Sequence, residues 1–272
     1  MKLARLCFVI FAFFSLTALT AHADVLGSAY FFGVLAGSAV TNTGPTVITG
    51  DLGVYPGTSI TGFPPGIVNG TIHNADAVAQ QAQVDALTAY NYFAGLPFNQ
   101  NLSGQDLGGM TLTPGVYFYS SSAQLTGTLT LDFQGMNNAD IIFQIGSALT
   151  TASSSAVMAI NLGTNDNVFW QIGSSATLGT TTDFQGTIIA DQSITLDHGA
   201  TINCGRAIAL NGAVTMDDNT INNCAGTGST PEPGTIGLLA TGGAIAVGAR
   251  STNFAFWGLG GSISAFFKRR KR

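Results

Sequence analysis

Residues 119–223 read as five unequal phrases: YSSSAQLTGTLTLDFQGMNNADIIF (119–143), QIGSALTTASSSAVMAINLGTNDNVFW (144–170), QIGSSATLGTTTDFQGTIIA (171–190), DQSITLDHGATINCGRAIA (191–209) and LNGAVTMDDNTINN (210–223). Their starts, at Tyr119, Gln144, Gln171, Asp191 and Leu210, are spaced by 25, 27, 20 and 19 residues. A drifting period of about 20, built from short β-type runs broken by Gly, Ser and Asn, is the sequence form of a solenoid. Each phrase carries an apolar residue followed by threonine: Leu125-Thr126, Leu149-Thr150, Ala176-Thr177, Ile194-Thr195 and Val214-Thr215. The same step occurs at Val40-Thr41, Ile60-Thr61 and Met110-Thr111. In stacked parallel strands successive side chains point to opposite faces. The apolar member then lines the interior and the threonine joins an outer column. The expected column is Thr126, Thr150, Thr177, Thr195 and Thr215. Its outward neighbour, two residues on, is Thr128, Ala152, Gly179, Asp197 and Asp217.

The chain has 272 residues, of which only 8% are charged. Between Asp24 and Thr230 the one basic residue is Arg206, against thirteen Asp and no Glu. A surface with so little Lys and Arg cannot neutralise phosphates, which excludes nucleic acid as a partner. Low charge with much Ser, Thr, Gly and Ala also suits a disordered chain. The regular apolar positions oppose that reading, because they supply a core.

Both ends read as processing segments. Residues 1–23 have a basic start at Lys2 and Arg5, an apolar stretch over 6–19 and a small-residue cleavage site at Ala21-His22-Ala23. That is the build of a secretory signal peptide. A transmembrane anchor is the alternative, but the apolar stretch is short for one. Residues 226–230 form a small polar linker. Residues 231–272 then carry Pro231-Glu232-Pro233, an apolar run over 234–249 and a basic cluster from Lys268 to Arg272. This segment resembles the PEP-CTERM sorting signal of Gram-negative bacteria. The resemblance implies membrane retention, processing by an exosortase-type enzyme, and release or attachment at the cell surface. The basic tail fits a cytoplasmic end. A second apolar run over 254–267 departs from the usual pattern, and a plain C-terminal membrane anchor is the alternative.

The exported body therefore spans residues 24–225. Residues 25–72 alternate short β-like runs with turn signals such as Gly44-Pro45, Pro56-Gly57 and Asn69-Gly70, as opening coils of the same solenoid do. Residues 74–94 predict the one helix. Asn74 is placed at its N-cap and Gly95 with Pro97 at its stop. Ala75, Val78, Ala82, Ala86, Ala89 and Phe93 form an apolar stripe at helical spacing. Gln80, Gln81, Gln83 and Asp85 are expected to face water. Residues 99–109 read as a short polar link. Ile141-Ile142-Phe143 and Val168-Phe169-Trp170 occupy matching places, so their large side chains should stack inside the coil or beneath the helix.

Cys204 and Cys224 end two similar phrases about one coil apart. Neighbouring strands lie about 4.8 Å apart, within the Cα separation of a disulfide. Export favours a bridge; metal binding is the alternative and lacks further ligands nearby. The search for chemistry finds no Gly-x-Ser-x-Gly elbow, phosphate loop or HExxH motif. Asp197, Asp217 and Asp218 fall in matching turns, where solvated Asp is common. Neither cofactor nor metal is expected.

Several stretches, among them residues 26–80, 105–132, 141–155, 167–190 and 193–221, resemble the ice-binding proteins with a discontinuous β-solenoid. The resemblance covers nearly all of the body. It implies a mainly β fold, a right-handed, triangular parallel β-solenoid with a long helix alongside, and ice as the ligand. No catalysis is expected, and the working unit is expected to be a monomer. Independently of that likeness, ice offers only a periodic array of water. Its binder needs a flat, rigid, weakly hydrated and regularly spaced face. β-Branched threonine, with few χ1 choices, supplies methyls and hydroxyls held in place. The candidate face comprises Thr126, Thr128, Thr150, Ala152, Thr177, Gly179, Thr195 and Thr215. A surface adhesin or matrix component is the alternative function, and a polysaccharide-active β-helix enzyme the third.

Overall fold

A computed structural model describes residues 25–224. The signal peptide, the linker and the sorting segment assigned to the two ends lie outside the described residues. Three parallel sheets of nine, seven and eight strands enclose a common interior, with one α-helix, Ala77–Ala94, laid along the nine-stranded sheet. Alternation in the short strands produces this shape. In Ile194–Leu196 the outer two residues are fully buried and Thr195 between them faces out. Ala176–Leu178 and Leu149–Thr151 repeat the pattern.

The stacking order is not the chain order. Strands Phe32–Ala36, Ala39–Thr43 and Val47–Thr49 pair with Ala207–Ala209, Val214–Asp217 and Thr220–Asn222, so the first coil sits on the last. The second coil (Asp51–Val54, Ser59–Thr61 and Ile67–Asn69) lies beyond it, with Ile72–Asn74 at the edge of the nine-stranded sheet. The helix then carries the chain back along the stack, where the five phrases begin. Eighteen residues of helix rise about 27 Å. The six strand steps from Ile72–Asn74 to Asp140–Ile145 come to about 29 Å at sheet spacing. The helix thus spans about six of the eight strand steps of this sheet, and the residues after Gly95 reach the two strands beyond.

The strands under the helix are buried on both faces and largely apolar, as in Phe32–Ala36 and Val168-Phe169-Trp170 within Asn167–Ile172. Ala82, Ala86 and Ala89 let the helix approach, and Phe93 stacks on Phe169 with centroids 4.5 Å apart. On the opposite side of the same strands Tyr117, Phe143 and Trp170 are in register and form a ladder inside the coil, at 5.6 and 3.9 Å. The expected stacking of large side chains is present in both places. The Trp170 indole N–H donates to the Gln185 carbonyl at 3.0 Å, which satisfies its one polar atom.

Three expectations need correction. The helix starts at Ala77, with Asp76 rather than Asn74 as its cap: Asp76 Oδ1 accepts from the Ala79 N–H at 2.9 Å, while Asn74 still belongs to a strand. The buried stripe is Ala79, Ala82, Gln83, Ala86, Ala89 and Phe93; Val78 is exposed. Gln83 faces the sheet, donating to the Ala209 carbonyl, and Asp85 accepts from the Ser28 hydroxyl and N–H at 2.6 and 2.8 Å. Finally, residues 99–109 are more than a link. Gln100–Asn101 adds an edge strand, and Leu102 and Leu107 seal the end of the core.

Two outcomes are expected. Trp170→Ala removes the centre of the ladder and should cost about 3–5 kcal/mol in urea denaturation; a loss below about 1 kcal/mol would contradict this packing. Burial pushes the Asp85 carboxyl up, but hydrogen bonds from Ser28 and Gln81 outweigh it and hold the group below its ordinary value. Such a group adds stability in full above its unfolded pKa of about 3.9, and that stability is lost as pH falls through the lower folded value. Asp85→Asn should therefore flatten the fall in melting temperature between about pH 4 and pH 2, and identical slopes would exclude the coupling.

Candidate functional site

The outer faces of the three sheets differ. The nine-stranded face is covered by the helix. The eight-stranded face is uneven: it exposes Met158 and Ile67, and Asp183 accepts there from Thr201 and Asn203. The seven-stranded face is regular. Its central column runs Gln124, Thr150, Thr177, Thr195, Thr215, Thr41 and Thr61, each in register with the next. Strand spacing sets these side chains about 4.8 Å apart. The Thr41 hydroxyl donates to Thr215 Oγ1 at 3.2 Å, joining the first coil to the last across the face.

Small residues flank the threonines. Two positions earlier on each strand stand Ser122, Ala148, Ser175, Ser193, Ala213, Ala39 and Ser59. Three of these serine hydroxyls accept from the backbone of the next coil: the N–H groups of Ala148, Ser193 and Ala213 donate to Ser122, Ser175 and Ser193 at 3.4, 3.2 and 3.3 Å. Two positions later stand Thr126, Ala152, Gly179, Asp197, Asp217, Thr43 and, past Thr61 at the end of the row, the partly buried Phe63. Beside Thr150 and Thr177 the flanking side chains are short, and the threonine column itself carries no charge. The later column turns acidic in its last coils, where His198 lies 3.3 Å from Asp217 and 3.9 Å from Asp218.

Of the expected residues, Thr150, Thr177, Thr195 and Thr215 share one column, with Ala152 and Gly179 beside it. Thr126 does not belong to that column. Gln124 is the partner of Thr150, and Thr126 follows at the corner, where Asp106 Oδ1 accepts from its N–H at 2.9 Å. Burial raises the Asp106 carboxyl, but hydrogen bonds from Gly108 and Thr126 bring it below its ordinary value. Thr128 is on another face: it begins a strand of the eight-stranded sheet and pairs with Ala156. Both displacements come from one two-residue slip in the first phrase, where Leu125-Thr126 imitates the repeated step. Thr41 and Thr61 were marked by that step but fall outside the expected face, because chain order hides their place beyond Thr215. Thr111, which carries the step too, lies in the eight-stranded sheet.

Cys204 and Cys224 form a disulfide, with Cα atoms 4.6 Å apart. Among the described residues no group of three or more His, Cys, Asp or Glu side chains is placed to hold a metal.

The family model described as Ice-binding-like matches residues 34–222. An ice-binding protein of Nostoc sp. (strain HG1) is 62% identical over 218 residues, covering 80% of this chain and 81% of the relative. The crystal structure of an ice binding protein from an Antarctic biological consortium is 52% identical with a TM-score of 0.69, covering 72% of this chain and 89% of that one. The ice-binding protein of the Antarctic ascomycete Antarctomyces psychrotrophicus is 44% identical with a TM-score of 0.68, covering 72% and 96%.

The close stacking beside the strip makes its own test. A methyl added at Gly179 meets the Thr151 carbonyl oxygen at 2.6 Å and the backbone of Ala152 and Ser153 at 3.0 Å. Gly179→Ala should therefore lower stability by about 1–3 kcal/mol in chemical denaturation. An unchanged midpoint would mean that the coils are not packed this tightly.

Proposed function

The chain belongs to the Ice-binding-like family, and from that membership we propose that it adsorbs to ice through the threonine strip of the seven-stranded sheet and so restrains ice growth and recrystallisation. It is a binding protein rather than an enzyme, as its relatives are. The observation that carries the choice of face is the unbroken register of six threonines, next to small residues and free of charge along the column. Ordered water meets methyls that favour structured hydration and hydroxyls that hydrogen-bond into it. The other faces lack this: one is under the helix, and the other mixes Met158, Ile67 and Asp183.

The ends of the chain extend the proposal. Residues 1–23 direct export, and the Cys204–Cys224 bridge supports a destination outside the reducing cytosol. Residues 231–272 act as a PEP-CTERM-type signal, held in the membrane and processed by an exosortase-type enzyme before release or display at the surface. The strip is complete within one chain, so the working unit is a monomer.

Thr177→Lys and Thr195→Lys put mobile, strongly hydrated ammonium groups into the strip. Each should reduce thermal hysteresis several-fold with an unchanged circular dichroism spectrum, while Met158→Lys on the other open face keeps it. Parental activity in both threonine variants would move the site elsewhere. For the ends, mass spectrometry of the exported protein should find Asp24 as its first residue and a C-terminus near Pro231. An intact chain ending at Arg272 would refute the processing.

A further inference from the structure

Five polar side chains are buried just inside the corner between the threonine sheet and the eight-stranded sheet. Ser155, Thr182, Asn219 and Thr46 each immediately precede a strand of the eight-stranded sheet. Those strands are in register, which stacks the four into an internal column with Ala200 between Thr182 and Asn219. Thr151 joins from the threonine sheet. None of the five is more than 3% exposed. Burying hydroxyls and amides where alkyl groups would fill the space costs free energy unless every polar atom is bonded, and here they are.

The bonds have a common destination. Ser155 Oγ donates to the Leu125 carbonyl at 3.0 Å, just before Thr126. Thr182 Oγ1 donates to the Ala152 carbonyl at 3.3 Å, and the Gly179 N–H donates to Thr151 Oγ1 at 2.9 Å. Each hydroxyl has one proton. The 2.7 Å contact between Thr151 and Thr182 therefore runs from Thr151 to Thr182 and completes a directed chain from Gly179 to Ala152. Asn219 accepts from the Asp217 N–H at 2.6 Å and donates to the carbonyls of Asp197 and Ala200 at 2.9 and 3.0 Å. Its own N–H donates to Thr46 Oγ1 at 2.9 Å, across the join between last and first coils.

Ala152, Gly179, Asp197 and Asp217 are the flanking column of the strip, and Leu125 adjoins its first member. We propose that this buried hydroxyl–amide spine is a positioning device that sets the level of the flanking column against the threonines and thereby fixes the width of flat surface offered to ice. The inference rests on the strip being the ice-contacting face. The spine touches no ice; it acts through the backbone it holds.

Thr151→Val and Thr182→Val keep side-chain shape and remove the hydroxyl, whereas Thr182→Ser keeps it. Thermal hysteresis is measured close to 0 °C per mole of folded protein, with the crystal planes decorated by fluorescently labelled protein as a second readout. The valine variants should lose hysteresis several-fold and decorate fewer planes while still melting cooperatively, and Thr182→Ser should retain most of the activity. Folded valine variants with parental hysteresis and planes would overturn the proposal. So would equal losses in Thr182→Ser and Thr182→Val, since volume rather than the hydroxyl would then matter. If either valine variant does not fold, Ser155→Ala at the end of the spine carries the same expected loss and the same refutation. Thr177→Lys separates the two readings: if it too is fully active, the face is wrong; if it alone is inactive, only the spine is.

Discussion

The backbone ladder between coils is the constraint on which the structure depends. Each parallel pairing fixes the next coil at strand spacing and aligns residues one to one. Alternation then decides which side chains become core and which become surface. Where the ladder carries Ile194, Leu196, Val214 and Met216 on its inner side it makes a core. Where it carries Thr195 and Thr215 on its outer side it makes a row. The aromatic ladder of Tyr117, Phe143 and Trp170 is produced in the same way, by register instead of by local propensity. Surface regularity and core packing are two sides of one set of hydrogen bonds.

The three faces diverge because they solve the problem of the solenoid's outside differently. The nine-stranded sheet carries Phe32, Leu35, Ile142, Phe169, Ile189 and Ile208 on its outer side and needs the alanine-rich helix as a cover. The eight-stranded sheet is solvated through Asp, Asn and Thr side chains, which bond to one another, as Asp183 does with Asn203 and Thr201. The seven-stranded sheet takes neither course. It stays open without a helix and solvates itself with hydroxyls, the serines being partly tied back to the backbone. A body with Arg206 as its one basic residue keeps long, hydrated cations off this strip, and Arg206 itself is buried, donating to the Tyr30 carbonyl.

Much of this was legible in sequence because the ladder repeats its pattern. The apolar–threonine step marks all six threonines of the row, and the matched phrases 144–147 and 171–174 give the register of those in the later coils. The first phrase misled because its register is set inside the coil. Tyr119 pairs with Ile145 and Phe118 with Gln144, which puts Gln124, an unremarkable residue in that pattern, opposite Thr150. The helix cap was missed since both Asn74 and Asp76 suit the position locally, and only the strand pairing of Asn74 with Val54 decides between them. The order of coils was out of reach of any local pattern. Nothing near Thr41 says that its neighbour is Thr215, 174 residues away.

That long-range join has a consequence for the surface. The row is assembled from two stretches of chain, and it is continuous only after the first coil has closed on the last. Three ladders, the Thr41–Thr215 hydroxyl contact and the Asn219–Thr46 bond fasten the join. Before closure the five phrases present Thr150, Thr177, Thr195 and Thr215 alone, ending beside the acidic pair Asp197 and Asp217. Closure adds Thr41 and Thr61 and carries the threonine row beyond the acidic coils. A surface that recognises a lattice gains from each added period in register, so the contact with loop-closure cost greatest in the folding of this chain is also the one that extends its row. Global folding and the continuity of the threonine row are thereby coupled at a single seam.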